Sequence, residues 1–388
     1  MQLAERMNRL GSETAFEVLA HAKALEAQGR NIIHLEIGEP DFVTPPHIVE
    51  AAVEALHNGQ THYTPAAGTA DLRRAVARHI SRSRNIDVEP EQVVVTPGAK
   101  PIMFFTILAL LGSGDEALYP DPGFPIYRSM INFVGARPVA LPLREENDFR
   151  FNVDEFRSLI SNRTRLIILN SPQNPTGGVL TRQDLEIVAE VARERNIMVL
   201  TDEVYNQILY TGEHLSPISL PDMQPQTILL DGFSKTYAMT GWRLGYGVMP
   251  VALAEQVTKL MVNSNSCTAA FTQQAGIAAL EGPQDAVTRM VEAFRRRREV
   301  IVTGLNQIPG FRCPNPAGAF YVFPNIGETG MSSQDLETYL LETAGVATLS
   351  GTSFGRYGEG YLRLSYANSI ENIQQALERI RRALAARS

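Results

Sequence analysis

Apolar residues in this chain recur with two different periods, and the period changes along the sequence. Over residues 13–28, Phe16, Leu19, Ala20 and Ala24 form a stripe that predicts an amphipathic helix. Thr14 and Glu17 have the spacing of a capping box at its start, and Gly29 supplies a stop. Ile32 to Ile37 reads as a short strand, followed by the turn Gly38-Glu39-Pro40-Asp41. From about residue 47, short apolar runs alternate with longer amphipathic stretches. Strand-like runs fall at 92–96, 116–119, 137–141, 165–170, 197–200, 227–230 and 244–249, and helical stretches at 69–83, 100–111, 183–195 and 251–262. Such alternation predicts an α/β fold whose large domain holds a mostly parallel sheet between helices. After Gly282-Pro283 come a long helical stretch, strands at 319–323 and 361–365, and helices at 333–343 and 369–386. These predict a smaller α+β domain built from both chain ends, with the N-terminal helix packed on it. The expected division is 47–285 for the large domain, and 1–46 with 286–388 for the small one.

Composition narrows the class. The 388 residues are 44% apolar and 20% charged, enough for a large core and two domains. A net charge of −7 argues against a nucleic-acid surface. The basic run Arg295 to Arg298 follows Val291-Glu292-Ala293-Phe294 and reads as a solvated helix face with carboxylate partners. Cys267 and Cys313 lie far apart, with neither metal-ligand spacing nor the pattern of a disulfide framework, which points to a reduced compartment. No run approaches the ~18 apolar residues of a membrane span. With no leader expected at the N-terminus, the localisation predicted is cytoplasmic. His34, His62 and His214 stand apart from one another and read as structural or surface residues.

Chemistry enters at the ends of the strand-like runs. Leu166 to Leu169 ends in Asn170-Ser171-Pro172-Gln173-Asn174-Pro175-Thr176-Gly177. Ile197 to Leu200 ends in Thr201-Asp202-Glu203-Val204-Tyr205, and Thr227 to Leu230 ends in Asp231-Gly232-Phe233-Ser234-Lys235, with Arg243 following. In an open α/β sheet, ligands bind beyond the carboxyl ends of strands, so these groups can converge. Asn, Asp, Tyr and Lys around one ligand are what pyridoxal 5′-phosphate needs. A lysine must offer a neutral amine for a Schiff base, although free lysine titrates near ~10.4; Lys235 is the candidate. Asp202 can pair with the pyridinium nitrogen, and Tyr205 and Asn174 with the phenolic oxygen. Thr96-Pro97-Gly98-Ala99-Lys100 lies between a Val-rich run and an apolar helix, the setting of a phosphate site at a helix start. Ser234 and Arg243 can complete that cradle. Phe124, in Asp121-Pro122-Gly123-Phe124-Pro125, can stack on the cofactor ring or pack in the core.

Together these residues resemble the class I aminotransferases, the aspartate aminotransferase family of fold-type I enzymes, over nearly the whole chain and in its bacterial and archaeal branch. The carriers are Gly38-Glu39-Pro40-Asp41, Tyr63-Thr64-Pro65-Ala66-Ala67-Gly68, Asn174-Pro175-Thr176-Gly177, Asp202-Glu203-Val204-Tyr205, Ser234-Lys235 with Gly241-Trp242-Arg243, and Tyr361-Leu362-Arg363-Leu364-Ser365. The resemblance implies a ping-pong transfer of an amino group from an L-amino acid to a 2-oxo acid through a Lys235 aldimine, with Lys235 as the proton shuttle. It implies that Asp202 holds the pyridine nitrogen, Asn174 and Tyr205 the phenolic oxygen, and Arg243, Ser234 and the loop Gly98, Ala99 and Lys100 the phosphate. Tyr63 would reach the phosphate in the neighbouring subunit, making a homodimer with shared active sites. Arg363 would clamp the substrate α-carboxylate, helped by Asn174 and the Gly38 backbone.

Substrate choice is less constrained. One branch of the family reads dicarboxylates with a partner-subunit arginine in the segment matching 260–272, which here has no basic residue. A second branch uses a lysine in the phosphate-side loop, where Lys100 stands, together with small hydroxyl residues in the N-terminal helix. The matching stretch here is Ala15-Phe16-Glu17, which lacks them. Glu17 would repel a dicarboxylate if it faced the pocket; the other reading is a solvent-facing capping residue. The reading reached is glutamate or aspartate with 2-oxoglutarate; the alternatives are a broad aromatic or alanine aminotransferase, or a lyase, racemase or oxidase on the same cofactor. A ligand-binding regulator would need a DNA-binding module, for which the residues up to Ser12 are too few.

Overall fold

The computed structural model of the protein describes residue 1 and residues 3–387. The chain opens with helix α1 (Thr14–Ala27), the two-residue strand β1 (Ile33–His34), α2 (Pro46–His57) and α3 (Ala70–Arg84). Seven strands then build one sheet: β2 (Val93–Thr96), β3 (Glu116–Asp121), β4 (Arg137–Pro142), β5 (Thr164–Asn170), β6 (Met198–Asp202), β7 (Thr227–Gly232) and β8 (Gly245–Val248). Their spatial order is β2-β8-β7-β6-β5-β3-β4. β8 runs antiparallel to β2 and β7, and the other four pairings are parallel. The expected mostly parallel sheet between helices is therefore present.

Helices cover both faces, which explains why the strands are continuous apolar runs rather than alternating ones. Along β5, Leu166 and Ile168 feed one core while Ile167 and Leu169 feed another on the opposite face. Observed strand ends fall within two residues of those read from the sequence. Helices α2, Ile126–Phe133, Val153–Leu159 and Ala270–Glu281 were not foreseen. The last buries mainly Ala, Gly and Thr with one Gln, so its inner face leaves little periodic trace.

The C-terminal part adds β9 (Tyr321–Val322), β10 (Val346–Ala347), β11 (Leu349–Ser350) and β12 (Leu362–Ser365). β11, β12 and β9 form an antiparallel sheet, while β10 pairs in parallel with β1 through Ile33↔Val346 and His34↔Ala347. The two chain ends are thus hydrogen-bonded together. The strand read over Ile32 to Ile37 shrinks to two residues because its partner is only that long.

α1 corrects two expectations. Its buried face is Val18, Ala22 and Leu25, packed with Leu341, Ala347, Leu349 and Phe354, whereas Phe16 is 62% exposed. Apolar residues surround this alanine-rich helix, so period alone does not select the buried side. No capping box forms: Glu13 is the N-cap residue, and its side chain does not bond the first-turn amides. The arginine run is also only partly solvated. Arg295 and Arg296 pair with Glu292, but Arg297 makes a bidentate bond to Asp41 (2.6 and 2.8 Å), and Arg298 is buried and donates to the Pro316 carbonyl. Arg297 thereby ties the long helix Asp285–Leu305 to the turn that carries Gly38.

Candidate active site

Beyond the carboxyl ends of β5, β6 and β7 lies a cavity of about 510 Å³. Gly38, Ala99, Lys100, Phe124, Asn174, Asp202, Tyr205, Ser234, Lys235, Arg243 and Arg363 all line it. Of the residues singled out in the sequence, Gly98 abuts it through Arg243, and Tyr63 stands apart, 89% exposed.

Strand geometry separates the two acids of Asp202-Glu203, because successive side chains point to opposite faces. Asp202 faces the cavity, accepting from the Tyr127 hydroxyl at 2.6 Å and from the Val204 amide at 3.4 Å. Burial raises its carboxyl to about 6, against the pull of those two donors. Glu203 faces away. Burial alone would raise it too, but Arg84 and His214, each at 2.8 Å, hold it down at about 2. One carboxylate is therefore locked into the scaffold, and the other is short of positive charge and open to a cationic partner.

Lys235 is half-buried and donates to the Gly38 carbonyl at 2.6 Å. Burial lowers its ammonium to about 8; Glu39 opposes this, while Arg363 and Arg243 add to it. Gly38 itself has no room for a side chain, since a Cβ there would lie 2.1 Å from the Tyr321 hydroxyl oxygen. That hydroxyl in turn bonds the Tyr205 hydroxyl at 2.8 Å.

At one end of the cavity, α4 (Lys100–Leu110) begins directly after Gly98 and Ala99. Its first amides lack intrahelical partners, which makes the helix start a binding place for anions. Gly98 has φ +88°, and a Cβ there would sit 2.2 Å from Arg243 Nη2, so backbone and guanidinium meet without a side chain between them. Arg243, itself in the left-handed region (φ 51°), is fixed by a bond from Nη1 to the Thr240 carbonyl at 2.8 Å.

At the other end, Arg363 projects from β12. Nη1 donates to Asn174 Oδ1 at 3.2 Å and Nη2 to the Glu36 carbonyl, while Nε is buried with no partner. The guanidinium lies over the Tyr321 ring at 4.6 Å and faces the Phe354 ring at 5.0 Å. Burial draws its affinity for protons below the usual arginine value. A buried cation with a spare donor is the complement of a carboxylate.

Tyr127, Tyr321 and Glu13 belong to this site and were missed from the sequence. Tyr127 follows Phe124 by three residues, and Tyr321 sits inside an apolar strand; neither carries a motif of its own. Of the two readings of Glu17 the solvent-facing one holds, for it is exposed beside Ser12; the acid that lines the pocket is Glu13.

Residues 30–380 match the family described as aminotransferase class I and II. An aspartate aminotransferase of Pyrococcus horikoshii is 42% identical over 98% of this chain and 97% of its own length. Aromatic-amino-acid aminotransferase 2 of Thermococcus litoralis is 39% identical over 99% of this chain and 98% of its own. The solved aspartate aminotransferase of Thermus thermophilus with maleate superposes with a TM-score of 0.95 at 36% identity, covering 99% of this chain and 100% of that one.

Proposed function

We propose how the pocket works on the premise that this chain belongs to the class I and II aminotransferases. The enzyme is a pyridoxal-phosphate-dependent transaminase that moves an amino group between an amino acid and a 2-oxo acid. When bound, the cofactor supplies an electron sink for the bonds at the substrate α-carbon.

The residues present fit that group. Asp202 is a buried carboxylate short of positive charge, as a partner for a pyridinium nitrogen must be. Gly98, Ala99, Arg243 and Ser234 offer amides, a cation and a hydroxyl around a space kept open by a missing Cβ, as a phosphate requires. Tyr205 and Asn174 would donate to the phenolic oxygen, and Phe124, in the same cavity wall, would flank the ring. Lys235 is the anchoring amine. With its pKa near 8, it is close enough to neutrality both to lose a proton and to take one, so Nζ removes the α-proton of the amino acid. Arg363, with Asn174 beside it, binds the α-carboxylate and fixes which α-bond faces Lys235. The observation that carries the reading is the convergence of Lys235, Asp202 and Arg363 on one cavity, from β7, β6 and β12.

This reading includes the two-domain division at 47–285 and at 1–46 with 286–388, because Lys235 and Asp202 come from the first unit and Gly38 and Arg363 from the second. It also includes a homodimer, in which Tyr63 completes the neighbouring phosphate site. An 89%-exposed tyrosine, too apolar to be left in water without a use, supports that assembly. Glutamate or aspartate with 2-oxoglutarate is the substrate set, supported by the aspartate aminotransferases among the relatives and by Lys100 in the cavity wall. Aromatic donors are the second reading, supported by the aromatic walls Phe124 and Phe354 and by the Thermococcus relative.

The test is the absorption spectrum of the cofactor-loaded protein before and after L-glutamate, with no oxo acid added. The visible band is expected to give way to a near-ultraviolet band as the amino form of the cofactor accumulates. A visible band unmoved by glutamate, aspartate, phenylalanine and alanine alike would overturn the transaminase reading.

A further inference from the structure

We infer that Glu13 is a specificity-determining residue: by pairing with Lys100 it neutralises the side-chain end of the pocket, and it competes with a substrate's second carboxylate for that lysine. This rests on the transaminase reading above and names the substrate feature that the site weighs.

The argument begins with an unused cap. Glu13 is the N-cap residue of α1, a position where an acidic side chain ordinarily folds back onto the first-turn amides. Here it makes no such bond. Its carboxylate reaches across to Lys100 Nζ instead, bridging the chain's first helix to the start of α4. Among the described residues this is its one side-chain hydrogen bond. The Glu13 side chain is only 19% exposed, and Glu13, Thr14, Ala15 and Phe16 all line the cavity. Its charge is also felt by Lys235, Arg363 and Tyr321, so the carboxylate acts on the interior of the site as well as its rim.

Lys100 Nζ lies 5.3 Å from the centroid of the Phe124 ring. With Glu13 attached, this region presents an aromatic face and a neutral pair, which accepts an uncharged side chain without rearrangement. A dicarboxylate differs. Arg363 takes its α-carboxylate, and the second carboxylate meets Glu13 as a like charge until Lys100 is released. Preference between the two classes is then set by a repulsive element as much as by an attractive one.

Succinate and 3-phenylpropionate, neither of which carries an amino group to transfer, probe this in the cofactor-loaded enzyme by calorimetric titration. Glu13→Gln is expected to tighten succinate on the order of tenfold, the scale of one charge-pair change, while 3-phenylpropionate moves less than about twofold. In a Lys100→Ala background the same substitution is expected to give a smaller gain, that of relieving the like-charge contact alone. Glu17→Gln, one turn further along α1, is expected to leave both ligands unchanged. Unaltered succinate affinity in Glu13→Gln would overturn the inference, as would an equal gain with and without Lys100. Circular dichroism confirms the fold, and Glu13→Ala replaces Glu13→Gln if the latter is poorly folded. The outcomes stay separable from those of the transaminase reading. Spectral conversion by an amino donor with no succinate response sinks the role of Glu13 alone, whereas no conversion in the unmodified enzyme sinks the wider reading.

Discussion

At the scale of single residues, the site depends on groups kept away from their ordinary ionisation by burial. Lys235 is the sharpest case, lowered to about 8 where a free lysine stays charged to far higher pH. Only the neutral amine can capture the cofactor, so capture by the cofactor-free protein should accelerate as pH rises and level off above about 8. With that pKa, about one-tenth of the lysine is neutral at pH 7, so the rate there should be about one-tenth of its plateau. Stopped-flow absorbance from pH 6 to 10 checks this, and a midpoint near 10 would mean that the pocket does not tune the lysine. Lys235, Asp202, Asn174 and Arg363 were legible in the sequence because each ends or interrupts an apolar run, where a polar residue is conspicuous. Tyr127 and Tyr321 were not, because they work through a hydroxyl on another side chain, and a tyrosine within an apolar stretch looks like packing. Glu13 was passed over because the stretch matched to the family's hydroxyl residues was Ala15 to Glu17, which begins two residues beyond it.

At the scale of elements, the sheet was readable because its strands are buried on both faces, so each is a compact block of Val, Ile and Leu bounded by loops. α1 was readable as a helix but not in its orientation, since alanines distribute apolar surface around it. The turn into α4 makes a prediction that belongs to this level. Gly98 combines a positive φ with a contact that leaves no space for Cβ, and the atom in the way is the end of the Arg243 side chain rather than backbone. Gly98→Ala should therefore displace the guanidinium without collapsing the sheet. The expected result is pyridoxal phosphate bound at least about tenfold more weakly, equivalent to about 1.4 kcal/mol, with a small loss of stability, about 1 kcal/mol, from the strained backbone. Fluorescence titration with the cofactor and a thermal melt measure the two separately. Unchanged cofactor affinity would remove the Gly98–Arg243 contact from the phosphate site.

At the scale of the whole molecule, the chain folds back so that residues of both its terminal segments line the site. Val43 and Tyr63 are left exposed outside it. No helix among the described residues is long and apolar enough to cross a membrane. The proposed homodimer makes a prediction that no single subunit can satisfy. Lys235→Ala chains should be inactive, and Tyr63→Ala chains should hold the cofactor weakly. Mixed and re-associated, they should regain activity at low cofactor concentration, since a hybrid contains one site with Lys235 from one chain and Tyr63 from the other. Failure of the mixture to exceed the Tyr63→Ala enzyme alone would show that sites are not shared.

The pairing of β1 with β10 also governs the order in which the molecule can be completed as it is made. All seven strands of the large sheet have been synthesised once residue 248 is reached, but His34 waits for Ala347, 313 residues later. At the usual ~5–20 residues per second, that delay is about a quarter of a minute to a minute. Through it, Ile32, Ile33 and Leu35 have no partner strand, a span in which chaperones have their opportunity. A chain released before residue 347 would carry a finished sheet with its lysine and aspartate in place, but an open N-terminal arm and no arginine to hold a substrate. The first segment to leave the ribosome is among the last to find its place.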